Sequence, residues 1–501
     1  MSDKYEEIQG LISDVSAASS DLVDTVRGLN SNGVAAGSAG KFSDLTLANN
    51  KVDTASSSWR ASIAPETVTY GSGATETVVE IPTPTLDMDF TAEVYQRLES
   101  GRLKLFSLLD DFDVFGNGST AHDNGGRFTS YPAGEPAFHF APGTGEPLGV
   151  QVMPSTTNQV TYSSKTAAGD VPMGASSHWN GGRTTIRGLT MAEMTHTGVV
   201  YKDFFADSQR VAFSTYFYIP RTISSGTVTV IRGEIHGANG NGSFAYVTFD
   251  YTTRGFNVAT GTNMNAVLKI EDYGGGFYRV CMACHFSGET VIDGCRAAYY
   301  PTIDGDTKYP TWYGGLQVEN GKWYCTPLVE CNGAPATRSA GGLRRYLATN
   351  ELGNSHSMCF YIEGRQQSSV GAFLYVRGAD GLGESVRIGA PSNAGKVIWT
   401  GAVSDDGNSR SLDGSEVGGF AAGEPVKICC WFEQGGRIHI SVNGKTSNMF
   451  IGSGNDYNQM VLGTFINDNN NIAGWIKELR VWVNWKPDYA VMNRLTTIEE
   501  Y

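Results

Sequence analysis

The first thirty residues place apolar side chains at a strict seven-residue spacing, Ile8, Val15, Leu22 and Leu29, with Leu11 and Ala18 between them and Ile12, Val23 and Val26 widening the stripe. This is a heptad seam, and it predicts a coiled-coil helix over residues 1–30 through which copies of the chain associate. Residues 31–127 read as a linker and stalk. They open with the Gly/Ser/Asn stretch Asn30 to Lys41 and continue through Ser/Thr clusters and the Pro-spaced EIPTPTLD, which alone bury no core. A second apolar stripe follows at Val94, Leu98, Leu105, Leu108 and Phe112, behind the N-cap candidate Thr91 and with Glu93 near the positive end. It predicts a second helix, interrupted at Gly101. The run FGNGSTAHDNGG then ends the helical pattern and marks a boundary.

From Arg127 onward the period falls to two. Strands are predicted at Val211 to Ile219, Thr227 to Ile231, Ser243 to Tyr251, Ala266 to Ile270 and Phe277 to His285. After Arg338 a second set begins at Met358 to Glu363, Ala372 to Arg377, Lys396 to Val403, Val426 to Glu433, Arg437 to Val442 and Ile476 to Val483. Asn443-Gly444, directly after RIHISV, is a strong hairpin signal. The chain thus reads as mainly β: an N-terminal helical region, then two tandem β-sandwich modules over 128–338 and 339–501.

Composition narrows the partners. Charged residues make up 18% and the net charge is −14, so the overall field opposes a grip on phosphate backbones, and nucleic acid is not an expected partner. No apolar run is long enough for a membrane span, and MSDKYEEIQG lacks the basic flank and apolar core of a signal peptide, which predicts synthesis in the cytosol without membrane insertion. Eight cysteines are too few for a disulfide scaffold. Cys281 and Cys284 form a CxxC, but the strand-like VCMACHF places them on opposite faces and no second pair lies nearby, so neither a zinc site nor a cofactor is expected.

Four lines in order carry a resemblance. EPAFHFAPGTGEPLGVQVMPSTTNQVTYS (135–163) resembles the opening of a module common in fibres of tailed bacteriophages, where "EPRF…TGE.LGL..EP..TN….S" leads into a sandwich. VAFSTYFYIP (211–220) is similar to the "FS.YVK" strand, YGGGFYRVCMACHF (273–286) to the "NGWYRV" strand, and YGGLQVENGKWYCTPLVECNGAPATR (313–338) to the closing "WGAQLE.G….Y.PT….TR". GWIKELRVWVNWKPDYAVMNRLTT (474–497) resembles the ending of concanavalin-like, laminin-G-type sandwiches in phage tail proteins, with Lys486-Pro487 replacing the usual arginine. The resemblance covers residues 128–501. It implies a receptor-binding fibre or spike on the virion surface of a phage or a phage-like particle such as a gene transfer agent. Such proteins are homotrimers, docked through the N-terminus on another virion protein, with jelly-roll modules reaching host surface polysaccharide. In that layout the heptad residues Ile8, Leu11, Val15, Leu22 and Leu29 serve trimerisation.

A sugar-binding sandwich needs aromatic faces and nearby amides or carboxylates. The candidates are His178, Trp179, Trp312, Tyr313 and Asp306, with Asn180, Tyr273, Asp304 and Trp323 behind them, while Trp475, Trp482 and Trp485 read as structural. Calcium would be held by the acidic loops 404–408 and 467–471, which solvated turns explain equally. For an enzyme that cuts polysaccharide, the nearest match to a sandwich-fold lyase is Glu234-Ile235-His236 with Arg232 and Tyr218. It departs from that pattern because Glu234 stands where an amide would neutralise the substrate carboxylate. No P-loop, G-x-S-x-G elbow or H-E-x-x-H helix is present. Binding without catalysis is the expectation, with a depolymerase or a purely structural decoration fibre as the alternatives.

Overall fold

Strands Met358–Gln366, Pro425–Glu433 and Arg437–Val442 bury their even-numbered Phe360, Ile362, Ile428, Cys430, Ile438 and Ile440 in one core, joined by Leu479 and Val481 of Gly474–Val483. Side chains alternate across a strand, so one parity builds one face. That face belongs to a ten-stranded sheet and packs on a seven-stranded sheet, which supplies Leu343, Phe373, Leu374, Val376, Met460 and Leu462. The opposite parity, Cys359, Tyr361 and Cys429, joins Trp482 beneath the helix Tyr489–Thr496, whose first turn Asp488 caps by accepting the Val491 N–H at 2.8 Å. Asn443 and Gly444 make the expected hairpin turn with φ of 45° and 84°, pairing Val442 with Lys445.

The computed structural model describes most of residues 67–498; residues 1–66, 499–501 and several internal stretches, among them 175–178, 304–306, 403–408 and 464–471, lie outside the described residues. The heptad residues Ile8, Leu11, Val15, Leu22 and Leu29 and both proposed calcium loops fall there.

The two sandwiches are nested, which corrects the tandem layout. Gly474–Val483 lies along Met358–Gln366 on one side, while on the other its residues 478–481 pair with Leu86–Asp89 and its residues 474–476 with Pro147–Val152. Asp113–Phe115 likewise pairs with Gly342–Tyr346. Residues 86–115 and 138–152 therefore complete the C-terminal sandwich, the hairpin Ser119–His122 to Phe128–Tyr131 between them covers the inserted one, and residues 156–338 are inserted through a neck in which Thr156–Asn158 pairs with Ala336–Arg338. Alternation along a strand reports that a face is buried but not which distant strand buries it, so nesting leaves no periodic trace.

The predicted second helix is also corrected. Val94–Glu99 and Arg102–Leu105 form an antiparallel hairpin on the edge of the ten-stranded sheet, and only Leu108–Asp111 is helical. Asp89 accepts from the Thr91 N–H and Oγ1 and from the Ala92 N–H at 2.8, 2.6 and 2.9 Å. This closes a tight turn, with Glu93 at φ 55°, where the helix was expected to start. Pairing of Leu86–Asp89 with both Gly474–Val483 and Val94–Glu99 then overrides helical propensity.

The inserted sandwich packs a six-stranded sheet on a five-stranded one. Val211, Phe213, Phe217, Val280 and Met282 of the first meet Val228, Ile235, Val247, Phe249 and Ala297 of the second. Its strands Arg210–Tyr218, Thr227–Gly237, Gly242–Asp250, Met264–Asp272 and Phe277–Phe286 lie where alternation places them.

Candidate functional site

The outer face of the six-stranded sheet is covered over part of its width. Tyr216, Tyr273 and Phe277 pack there against Phe128 and Leu328. Beneath this cover Glu271 meets Lys269 at 3.0 Å and Arg279 at 3.8 Å, and the Tyr273 hydroxyl donates to it at 2.7 Å. Burial would raise the Glu271 pKa, but the Lys269 and Arg279 charges outweigh it and hold the carboxyl well below its usual range. His122 contacts the Tyr216 hydroxyl at 2.8 Å, and His139 stacks on Trp475 of the outer sandwich at 5.3 Å. Burial lowers these imidazoles to about 4 and about 3. The layer is closed to a ligand and joins the two sandwiches.

Beyond the cover the same face opens into a groove of about 620 Å³ lined by Thr184, Thr185, Ile186, Arg187, Tyr218 and Trp312. Register builds it. Glu193, Trp312 and Tyr218 are cross-strand neighbours on three adjacent strands, a row in which directly opposed side chains lie side by side. The hairpin Arg183–Ile186 to Leu189–Met194 forms one wall, turning through Arg187 and Gly188 at φ 49° and 84°. A non-glycine residue in this left-handed region is uncommon. It is held by the Arg187 guanidinium donating to the Gly125 carbonyl and by the Phe128 N–H donating to the Arg187 carbonyl at 2.6 Å. Gly182 packs against the indole, since a Cβ there would stand 3.1 Å from Trp312. Two half-buried aromatic rings, Thr184 and Arg187 thus meet on one open surface, with Glu193 next to Trp312 in the cross-strand row.

Of the residues named from sequence as sugar-contacting, Trp312 stands in this groove, beside Tyr218 from the lyase candidates. Trp179 and Tyr313 do not, which corrects their assignment as sugar-contacting residues. Trp179 is 0% exposed and Tyr313 1% exposed, meeting edge to face at 6.5 Å, with Tyr313 stacked on Tyr299 at 4.2 Å. Tyr313 follows Trp312 on a strand and so faces the core, while the Gly/Ser/Asn neighbours of Trp179 concealed an anchor for that core. Tyr273 is buried as well, and His178, Asn180, Asp304 and Asp306 lie outside the described residues. Trp323 is 40% exposed and lies under the Arg210 guanidinium at 3.7 Å. Trp475 and Trp482 are buried, and Trp485 packs beside Trp482. Sequence reading missed Glu193 and Arg187, although the alternation of LTMAEM places Glu193 on the face opposite Ala192 and Met194.

The lyase candidates are split between the two sheets. Phe217 and Ile219 face the core, so Tyr218 points outward from the six-stranded sheet, whereas Ile235 faces that core from the five-stranded sheet and sends Glu234 and His236 out on the other side. Glu234 pairs with Arg232 at 2.8 Å and with His236 at 3.3 Å. Cys284 lies in the core and Cys281 on the opposite face of its strand, as the CxxC spacing predicts. Among the described residues no group of three or more His, Cys, Asp or Glu is placed to hold a metal.

The polar residues of the opening and closing sequence lines meet at the neck. Asn158 Nδ2 donates to the Leu316 and Val329 carbonyls at 3.1 and 2.8 Å, and its Oδ1 accepts the Val318 N–H at 3.0 Å. Glu319 accepts from the Thr156 and Thr326 hydroxyls at 2.6 and 2.7 Å and from Gln317 at 2.8 Å. Arg338, 4% exposed, donates to the Pro327 carbonyl at 3.2 Å.

No protein-family model matches the chain, and no curated protein matches it. Among solved structures, mouse laminin alpha1 domains LG4-5 align over 55% of this chain and 83% of their own length at 14% identity and TM-score 0.22. The Ruminococcus gnavus IT-sialidase CBM40 bound to alpha2,3 sialyllactose aligns over 28% of this chain and 83% of its own at 13% identity and TM-score 0.22. The laminin alpha2 LG1-3 region aligns over 58% of this chain and 66% of its own at 10% identity and TM-score 0.21. Scores at this level carry no argument about function.

Proposed function

We propose that this chain is the receptor-binding fibre or spike subunit of a tailed bacteriophage or a phage-like particle. In this reading it is displayed on the virion surface as a homotrimer, docks by its N-terminus on another virion protein, and binds host surface polysaccharide through the groove at Trp312. The observation that carries the glycan reading is the cross-strand row Glu193, Trp312 and Tyr218 on an open sheet face. Flat rings take the apolar faces of pyranoses while the Thr184 hydroxyl and the carboxylate beside Trp312 bond their hydroxyl groups. The particle reading rests on the four sequence lines. Weak individual contacts gain strength because several copies of the groove face one polymer. Separation of Tyr218 from Arg232 and His236 favours binding over cleavage.

The test mixes the full chain with isolated surface polysaccharides from a bacterial panel and follows both by size-exclusion light scattering over hours. A trimer that co-elutes with a polymer of unchanged mass supports the proposal. Falling polymer mass replaces binding with depolymerisation, and absence of co-elution across the panel leaves a structural decoration role. A monomeric peak of folded protein contradicts the trimeric layout.

A further inference from the structure

The outer face of the five-stranded sheet carries a second constellation, on the opposite side of the inserted sandwich from the groove. Its hub is Glu234, approached by Arg232 at 2.8 Å, His236 at 3.3 Å and Arg296 at 3.8 Å. Arg296 also donates to both Asp203 oxygens, at 2.7 and 3.2 Å. Three basic side chains therefore face two carboxylates. Arg232, His236 and Arg296 side chains are 26%, 36% and 31% exposed, more than Glu234 at 18% and less than Asp203 at 60%.

Two further observations point to a ligand. The guanidinium groups are braced from the side, Arg232 over the Phe244 ring at 4.2 Å and bonded to the Tyr300 hydroxyl at 3.0 Å, and Arg296 over Tyr201 at 4.3 Å. Such bracing keeps a fork oriented before a ligand arrives. The neighbouring positions are small: His236 has Gly294 and Gly242 opposite it on the flanking strands, and Ala298 separates Tyr201 from Arg232. The His236 ring lies against Gly242, 3.4 Å from where a Cβ there would stand, and the Arg232 and Arg296 forks beside it carry donors that match a carboxylate.

We propose that this face is an acidic-polysaccharide site in which Arg232, Arg296 and His236 receive the carboxylate of a uronate-type sugar, while Glu234 holds these bases in position and competes with the ligand for them. The site stands apart from the Trp312 groove and does not depend on it.

Polygalacturonate oligomers, with neutral dextran as the control, are titrated into the full chain and its variants at low salt. The wild type is expected to bind the acidic polymer and not dextran. Glu234→Gln keeps the shape and removes the competing charge, so it should bind about three- to ten-fold tighter. Arg296→Gln should bind about ten-fold weaker, and Trp312→Ala should leave this affinity unchanged. Thermal melts of each variant verify folding, and if Glu234→Gln does not fold, the Arg296→Gln and Trp312→Ala pair decides alone. Equal binding of dextran, unchanged or weaker binding by a folded Glu234→Gln, loss through Trp312→Ala, or no binding by any of these proteins overturns the proposal. Failure of the groove reading is seen separately, as unchanged binding of its own polysaccharide by Trp312→Ala.

Discussion

The two outer faces of the inserted sandwich each carry a glutamate ringed by basic side chains, and they differ in what lies on top. Glu271, with Lys269 at 3.0 Å and Arg279 at 3.8 Å, is roofed by the segment around His122 and His139 and is 7% exposed. Glu234, with Arg232 at 2.8 Å and Arg296 at 3.8 Å, is partly open, its side chain 18% exposed and its bases more so. Similar chemistry has opposite consequences. A fully buried charge must keep its partners because nothing else solvates it, whereas partners that reach solvent, as the bases around Glu234 do, can be shared with water or a ligand. The groove at Trp312 extends the lesson, because it lies on the covered sheet at the place where the cover ends.

Glu271→Gln should therefore produce the largest effect, leaving Arg279 buried without its anion and costing about 3–5 kcal/mol in urea unfolding, against a clearly smaller loss for Glu234→Gln, whose partners reach solvent. Equal losses would erase the distinction between the faces. Trp179→Ala should cost about 3–5 kcal/mol by opening a cavity, while Trp312→Ala, on the groove, costs far less.

Acid should act on the covered face next. The unfolded chain protonates His122 and His139 below about pH 6.5, whereas the folded rings take protons only near 4 and 3. Stability that is complete above the unfolded value is thus lost as pH falls toward the folded ones, at most about 3 kcal/mol for His122 and about 5 kcal/mol for His139. Glu478 of the outer sandwich runs the other way. Burial raises its carboxyl to about 7, so its contribution is full below the ordinary carboxylate range and is lost as pH rises through 7. Urea midpoints from pH 7 to pH 4 for wild type, His139→Gln and Glu478→Gln separate the two signs: the histidine variant should flatten the acid loss and the glutamine at 478 should steepen it. The smallest effect is expected from Gly182→Ala, whose methyl must displace the Trp312 ring. A few-fold loss of polysaccharide binding without a change in melting temperature would locate the ligand on that ring.

Much of the local structure was legible in the residues. Period two marked the strands of both sandwiches, and Asn443-Gly444 marked its hairpin because both positions take the left-handed conformation. What escaped was long-range. The stripe from Val94 to Phe112 satisfied a helical spacing, yet pairing with Leu86–Asp89 drew its first part into a sheet. Trp179 lay among turn formers and is wholly buried, and Tyr313 differs from Trp312 only by the alternation that turns it inward. The residues that carried the family resemblance are instructive in another way. Asn158, Gln317, Glu319 and Arg338 are buried at the neck of the insertion, so those lines identify a scaffold rather than its ligand. Glu193 comes to lie beside Trp312 through register, and Arg187 lines the groove through a turn, neither of which a short motif announces.

The central claim, that the ligand surface lies where the cover stops, is tested most directly by measuring polysaccharide affinity and melting temperature together for the full chain and for Trp312→Ala. The account predicts at least about a ten-fold loss of affinity, about 1.4 kcal/mol, with the melting temperature nearly unchanged. Wild-type affinity in the folded variant, or a loss that only tracks unfolding, would contradict it.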